Sequence, residues 1–134
     1  MSDLNNIEEI ANYIVADGKG ILAADESNPT CGKRFDSIGV ESNEENRRDY
    51  REMLFRSEGM KGNIGGVILF DETIRQKAED DTPLVKLILD QGALPGIKVD
   101  KGLKPIGDSE ESLTDGLEGL DERLKEYFSL GAKF

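Results

Sequence analysis

Residues 65–70, GGVILF, form an apolar run with no polar side chain, of strand length rather than helix length. A strand with one wet face alternates, so an unbroken run fits a parallel strand covered on both faces. A shorter apolar run lies at 20–24 (GILAA), and a third strand is expected at 96–100 (GIKVD), where apolar and charged residues alternate. Helical spacing fills the gaps between them. Ile7, Ile10, Ala11, Ile14 and Val15 repeat at helical spacing after a capping-box-like Asn6/Glu9 and predict a helix over 7–16. Pro29 and Gly39 bracket a short helix at 30–38. Ser42 and Glu45 form a second capping box, ahead of a helix over 43–57 with Tyr50, Met53 and Leu54 on one face and charge on the other. A short helix follows at 73–78. Thr82-Pro83 opens another, which carries Leu84, Val85, Leu87, Ile88 and Leu89 and closes at Gly92. After a polar loop containing GDSEES, Leu117, Leu120, Leu124, Tyr127 and Phe128 face inward on a last helix at 118–130. Strands alternating with helices predict βα units, right-handed crossovers and a parallel sheet.

Charge and residue inventory narrow the function. The chain has 28 acidic and 17 basic residues in 134, a net charge of -11, which repels nucleic acid and anionic membranes in the absence of a basic run. It has no apolar stretch of membrane-spanning length, and its start, MSDLNNIEEI, lacks the layout of a signal peptide, so the expected compartment is the cytoplasm. The sequence contains no histidine and one cysteine, Cys31. Ser-His and Cys-His catalysis and the common zinc sites are therefore excluded, and no metal is expected. Acid, base or nucleophile must come from Asp, Glu, Lys or Tyr.

Ligands of parallel α/β folds gather at the carboxyl ends of the strands. Here those ends are polar: Asp25 after the first strand, Asp71-Glu72 after the second, and Lys98, Asp100 and Lys101 on and after the third. Alternation sets Lys98 and Asp100 on one face of their strand and Ile97 and Val99 on the other. Two readings fit a Lys and an Asp on neighbouring strand ends. One is a partly buried ion pair; the other is an anion site with a carboxylate available for proton transfer. Ser27, Thr30 and the amides opening the 30–38 helix suit a phosphate, and Lys33 and Arg34 add positive charge. As residues at a helix start, Ser27 and Thr30 also fit simple capping.

The segments GKGILAADES, ESNEENRRDYRE, GGVILFDET, PGIKVDKG and DGLEGLDER resemble, in order, segments of class I fructose-bisphosphate aldolase. The resemblance implies that 1–134 is the N-terminal part of a single TIM-barrel domain, the first three βα units of an incomplete (β/α)8 barrel. It also implies cleavage of fructose 1,6-bisphosphate, a phosphorylated sugar, into dihydroxyacetone phosphate and glyceraldehyde 3-phosphate through a lysine Schiff base, without metal or cofactor. By matching motif, Asp25 takes the role of the aspartate that orders carbinolamine and proton-transfer steps. Lys98 takes that of an interior lysine holding substrate phosphate. Ser27 and Thr30 match hydroxyl positions near that phosphate, and Arg34 and Arg47 match substrate-binding arginines. SNPTCGKR departs from the Ser-Thr-Gly pattern commonest after the aspartate.

The resemblance also implies that the fourth-strand lysine, the acid/base glutamate, the Schiff-base lysine and the second phosphate loop lie past Phe134. A complete barrel needs roughly 250 residues. The 134-residue chain is therefore expected to be inactive, and to be marginally stable with two open sheet edges and an uncovered inner face. Full-length family members are usually homo-oligomers. Two other readings compete: a non-catalytic acidic domain of aldolase descent that binds a phosphometabolite or a protein partner, and a chain that pairs with a second polypeptide supplying the remaining strands.

Overall fold

In the computed structural model, which describes residues 6–134, Gly20–Ala24 (β1), Ile64–Leu69 (β2) and Leu94–Ile97 (β3) form one parallel sheet in the order β1-β2-β3. The helices between them are Ile7–Ile14 (α1), Asn28–Asp36 (α2), Glu44–Phe55 (α3), Asp71–Arg75 (α4), Leu84–Asp90 (α5) and Leu120–Ser129 (α6). The segment 1–5, the first half of the stretch in which no signal-peptide layout is found, lies outside the described residues.

β2 is central, and its composition follows from that position. Val67 and Leu69 are fully buried, packed with Ala24, Phe55, Leu84 and Ile88 in the main core between the sheet and helices α3 and α5. A second, smaller cluster covers the opposite face, where Ile10 and Ile14 of α1 meet Leu94 and Phe134. Two glycines make that approach possible. A Cβ added at Gly65 would lie 2.5 Å from the Ile14 carbonyl oxygen, and one at Gly96 would lie 2.6 Å from the Phe134 ring. The last residues run beside β3, with Lys133 N donating to Pro95 O at 2.7 Å and Ile97 N to Phe134 O at 2.9 Å. Along β1 the same face is open: Ile21 is 42% exposed and Ala23 is exposed.

Several sequence-based expectations need correction. The third strand is Leu94–Ile97 rather than 96–100. Pro95, which has no N–H to give, is tolerated because residues 95 and 97 turn their backbone groups away from β2, towards Lys133 and Phe134, so no bond of the β2–β3 ladder is lost. Lys98 and Asp100 therefore stand just past the strand, where Asp100 Oδ1 accepts from Gly102 N at 3.0 Å and turns the chain. The polar loop contains an antiparallel hairpin, Leu103–Pro105 (β4) with Ser112–Thr114 (β5). The short helix expected at 73–78 begins directly on the strand end, as Asp71–Arg75. The second capping box is not formed; Asn43 caps α3 by accepting from Asn46 N at 2.8 Å.

The apolar faces differ too. On α1, Ile7 and Val15 are exposed, and on α3 so is Met53. The buried residues of α3 are Arg51 and Phe55, so a charged residue points inward. On α6 Tyr127 is buried, whereas Leu124 and Phe128, and Leu117 ahead of the helix, are exposed, at 46%, 71% and 84%.

The close contact at Gly65 is with backbone and has no room to give. Gly65→Ala is expected to lower stability by about 1–3 kcal/mol in urea denaturation. Gly20→Ala, where an added Cβ meets nothing within 4 Å, is expected to stay within about 0.5 kcal/mol.

Candidate functional site

The site is a consequence of register. Ala24 pairs with Leu69 and Leu69 with Ile97, so the next row, Asp25, Phe70 and Lys98, sits at the carboxyl ends of the strands on the face opposite the main core. Lys98 N still donates to Leu69 O at 2.9 Å, which carries the row one residue past β3. The Lys98 ammonium lies 4.0 Å from the Asp25 carboxylate and is hydrogen-bonded to Asp100. All three side chains are about 30% exposed, at 29%, 27% and 32%. The Lys98 ammonium, and next to it the Gly102 backbone N–H, hold the Asp100 carboxyl below the ordinary aspartate range. A lysine between two carboxylates, one close and one at 4.0 Å, has three N–H donors and so leaves at least one for an anion.

Two cavities meet at this row. One, of about 300 Å³, is lined by Asp25, Ser27, Thr30, Arg34 and Lys98 among others. The other, of about 600 Å³, runs from Ser27 and Lys98 across Phe70 and Asp71 to Arg123 and Tyr127. Ser27 is the N-cap of α2 but makes no capping bond with its side chain. Its hydroxyl instead pairs with that of Thr30 at 3.2 Å, so both hydroxyls line the smaller cavity.

Arg34 reaches that cavity from α2 and is also held by Glu26 and, at 3.5 Å, by Tyr50. Glu26 is clamped from its other side by the buried Arg51, whose Nη1 donates to Glu26 Oε2 at 2.7 Å and Nη2 to Glu26 O at 2.9 Å. Burial alone would raise the Glu26 carboxyl, but a backbone hydrogen bond and the charges of Arg51 and Arg34 outweigh it and lower the group. Arg47 is placed elsewhere. It forms a bidentate pair with Glu72 at 2.7 and 2.8 Å and bonds Ser42 O at 2.9 Å, and it lines neither cavity. Five of the six predicted site residues thus share the strand-end clefts, and Arg47 stands apart.

No sequence pattern marks Arg123 or Tyr127 as a site residue. Tyr127 donates its hydroxyl to Asp71 at 2.9 Å, and Arg123 donates to the carbonyls of Val99, at 3.0 Å, and Gly116. Helical periodicity marks Tyr127 as core, and DGLEGLDER contains Arg123; the signal that joins them to the site is the return of α6 past β3, which no local pattern encodes.

The family model for fructose-bisphosphate aldolase class-I matches residues 6–134. The chain is 52% identical over 132 residues to a probable fructose-bisphosphate aldolase class 1 of Xanthomonas campestris pv. campestris, covering 98% of this chain and 40% of that one. It is 55% identical over 130 residues to fructose-bisphosphate aldolase 2 of Plasmodium berghei, covering 96% of this chain and 35% of that one. A solved structure of the Plasmodium falciparum fructose-bisphosphate aldolase, in complex with TRAP and a small-molecule inhibitor, superposes with a TM-score of 0.90 at 52% identity over 93% of this chain and 36% of that one. The chain belongs to the class I fructose-bisphosphate aldolase family. It spans about two fifths of the length of these curated relatives.

Removing Arg51 leaves Glu26 buried without its inner partner, so Arg51→Ala is expected to cost about 3–5 kcal/mol in urea denaturation. Arg34→Gln, whose charge stands in solvent, is expected to leave the midpoint nearly unchanged. Because the folded-state Glu26 and Glu72 carboxyls are lowered from 4.5, their contribution is fully present above that pH and is lost as pH falls through the depressed values. A stability profile recorded from pH 7 downward is therefore expected to fall below about pH 4.5, less steeply in Glu26→Gln.

Proposed function

We propose that residues 1–134 are the N-terminal part of a single aldolase-type (β/α)8 domain, supplying its first three strands, and that the strand-end row forms part of a phosphate-binding and proton-transfer site. The observation that carries this reading is the 4.0 Å approach of Lys98, past the end of β3, to Asp25, past the end of β1, across the central β2, in a chain of this family. The parent reaction is reversible cleavage of fructose 1,6-bisphosphate to dihydroxyacetone phosphate and glyceraldehyde 3-phosphate, through a lysine Schiff base and without metal, in the cytoplasm, by a homo-oligomer. Among the described residues no helix is long and apolar enough to cross a membrane.

In this reading Lys98 and the Ser27 and Thr30 hydroxyls hold a substrate phosphate, and Arg34 adds charge at the rim of the same cavity. A phosphate there also meets the amides that open α2. Asp25 orients the carbinolamine and carries a proton beside the Schiff-base lysine. Arg47 acts through Glu72 on the flank of α3, at a distance from the phosphate. Lys98 is assigned to phosphate binding rather than to the nucleophile, because its ammonium is hydrogen-bonded to Asp100, whereas a Schiff-base lysine must present a free amine to the carbonyl. The chain of 134 residues is accordingly proposed to be inactive by itself.

Incubation with dihydroxyacetone phosphate, borohydride reduction and intact-mass measurement test this. No adduct is expected on the 134-residue chain, while the full-length Xanthomonas campestris relative is expected to gain one. An adduct on the short chain would overturn the assignment of the nucleophile to a lysine beyond it.

A further inference from the structure

The larger cavity is bounded by the Phe70 and Tyr127 rings and by charged groups from three elements. Its acidic groups are already engaged. Asp71 accepts from the Tyr127 hydroxyl at 2.9 Å and from Arg75 at 2.9 and 3.2 Å. Asp100 accepts from Lys98 and from Gly102 N. Of its three cations Lys98 is engaged by Asp100, whereas among the described residues neither Lys101 nor Arg123 has a carboxylate within the 4.0 Å of an ion pair.

Arg123 has the more telling environment. Two of its nitrogens go to carbonyl oxygens, of Val99 and Gly116, which satisfy hydrogen bonds without neutralising charge. Its Nε is buried and has no acceptor among the described residues. A buried donor without a partner is uncommon and marks a group waiting for an ion, a water or a ligand. In a chain of net charge -11, a cleft lined by Lys98, Lys101 and Arg123 against Asp71 and Asp100, with neither Lys101 nor Arg123 in a close ion pair, is a local reversal of sign. The Phe70 and Tyr127 rings make one part of the lining apolar, as is usual for small-molecule clefts.

We propose that this cleft between β3 and α6 is a second oxyanion subsite, in which Lys101 and Arg123 receive a phosphoryl or carboxylate group of a small metabolite. It adjoins the Ser27–Thr30–Lys98 site through their shared wall but has its own cations. It goes beyond the aldolase reading, because neither Lys101 nor Arg123 has a part in that reading. The fork from Arg123 to Val99 O and Gly116 O also fixes the backbone between Lys98 and Lys101. An anion seated in the cleft thus meets a site whose backbone is already positioned.

The two sites are separable by ¹H–¹⁵N NMR of the 134-residue chain titrated with inorganic phosphate, and separately with malonate, at ionic strength matched by chloride. The Arg123 Nε–H and the Lys101 amide report the second subsite; the Ser27 and Thr30 amides report the first. Saturable movement of the Arg123 Nε–H is expected. Lys101→Gln, an exposed side chain with no bonded partner among the described residues, is expected to weaken that response about two- to fivefold while leaving the melting temperature and the Ser27 and Thr30 response unchanged. Response to phosphate alone assigns a phosphoryl ligand, and response to malonate alone a carboxylate. An Arg123 Nε–H that stays still for both anions, or moves equally in Lys101→Gln, overturns the subsite even if Ser27 and Thr30 respond. Silent Ser27 and Thr30 amides beside a responding Arg123 would count against the phosphate role of the first site and leave the second standing.

Discussion

The pairing of β2 with a strand on each side is the constraint from which the rest of the molecule follows. Its Val67 and Leu69 are fully buried, and its backbone ladders set Ala24, Leu69 and Ile97 in one row. Once that row is fixed, the following row must be Asp25, Phe70 and Lys98, all on the face opposite the core. Hydrophobic burial therefore decides which charged groups meet, although those groups contribute little to the burial themselves. A slip of one residue in the β2–β3 ladder would turn Lys98 to the core face, and one in the β1–β2 ladder would turn Asp25 there, so either would part the two.

Two kinds of charge pairing surround this row. On the helical side Arg51, 3% exposed at its side chain, is fully engaged by the Glu26 carboxylate and carbonyl. Breaking such a pair leaves a desolvated charge, which makes it a rigid support for the end of β1. On the open side, Lys98 is paired with carboxylates yet partly solvated, and Arg123 is fixed by carbonyls without losing its charge. The first arrangement holds position and the second leaves charge for a ligand. Arg47 and Glu72 belong with the first, since their bidentate pair is complete within the protein.

Much of the fold is legible in the sequence because it depends on local pattern. The run at 65–70, the capping Asn6 and the glycine at 92 each encode their element by composition at short range. The hairpin escapes such a reading, since β4 and β5 are exposed throughout and show no alternation of buried and solvated residues. Arg51 escapes it for another reason: its partner Glu26 is 25 residues away, and a charge on a helix otherwise reads as solvated. Exposure of Leu117 and Phe128 is equally invisible, because spacing shows that a face is apolar without showing what lies across it. At the site, Asp25 and Lys98 are readable from their strand ends, whereas Arg123 and Tyr127 require the path of α6.

The central claim is that Asp25 and Lys98 act as one site rather than as two neighbouring surface charges. A double-mutant cycle on the affinity for dihydroxyacetone phosphate, using Asp25→Asn, Lys98→Met and the pair, measures this directly. A shared site predicts a coupling energy above about 0.5 kcal/mol. Losses that add within about 0.3–0.5 kcal/mol would contradict it.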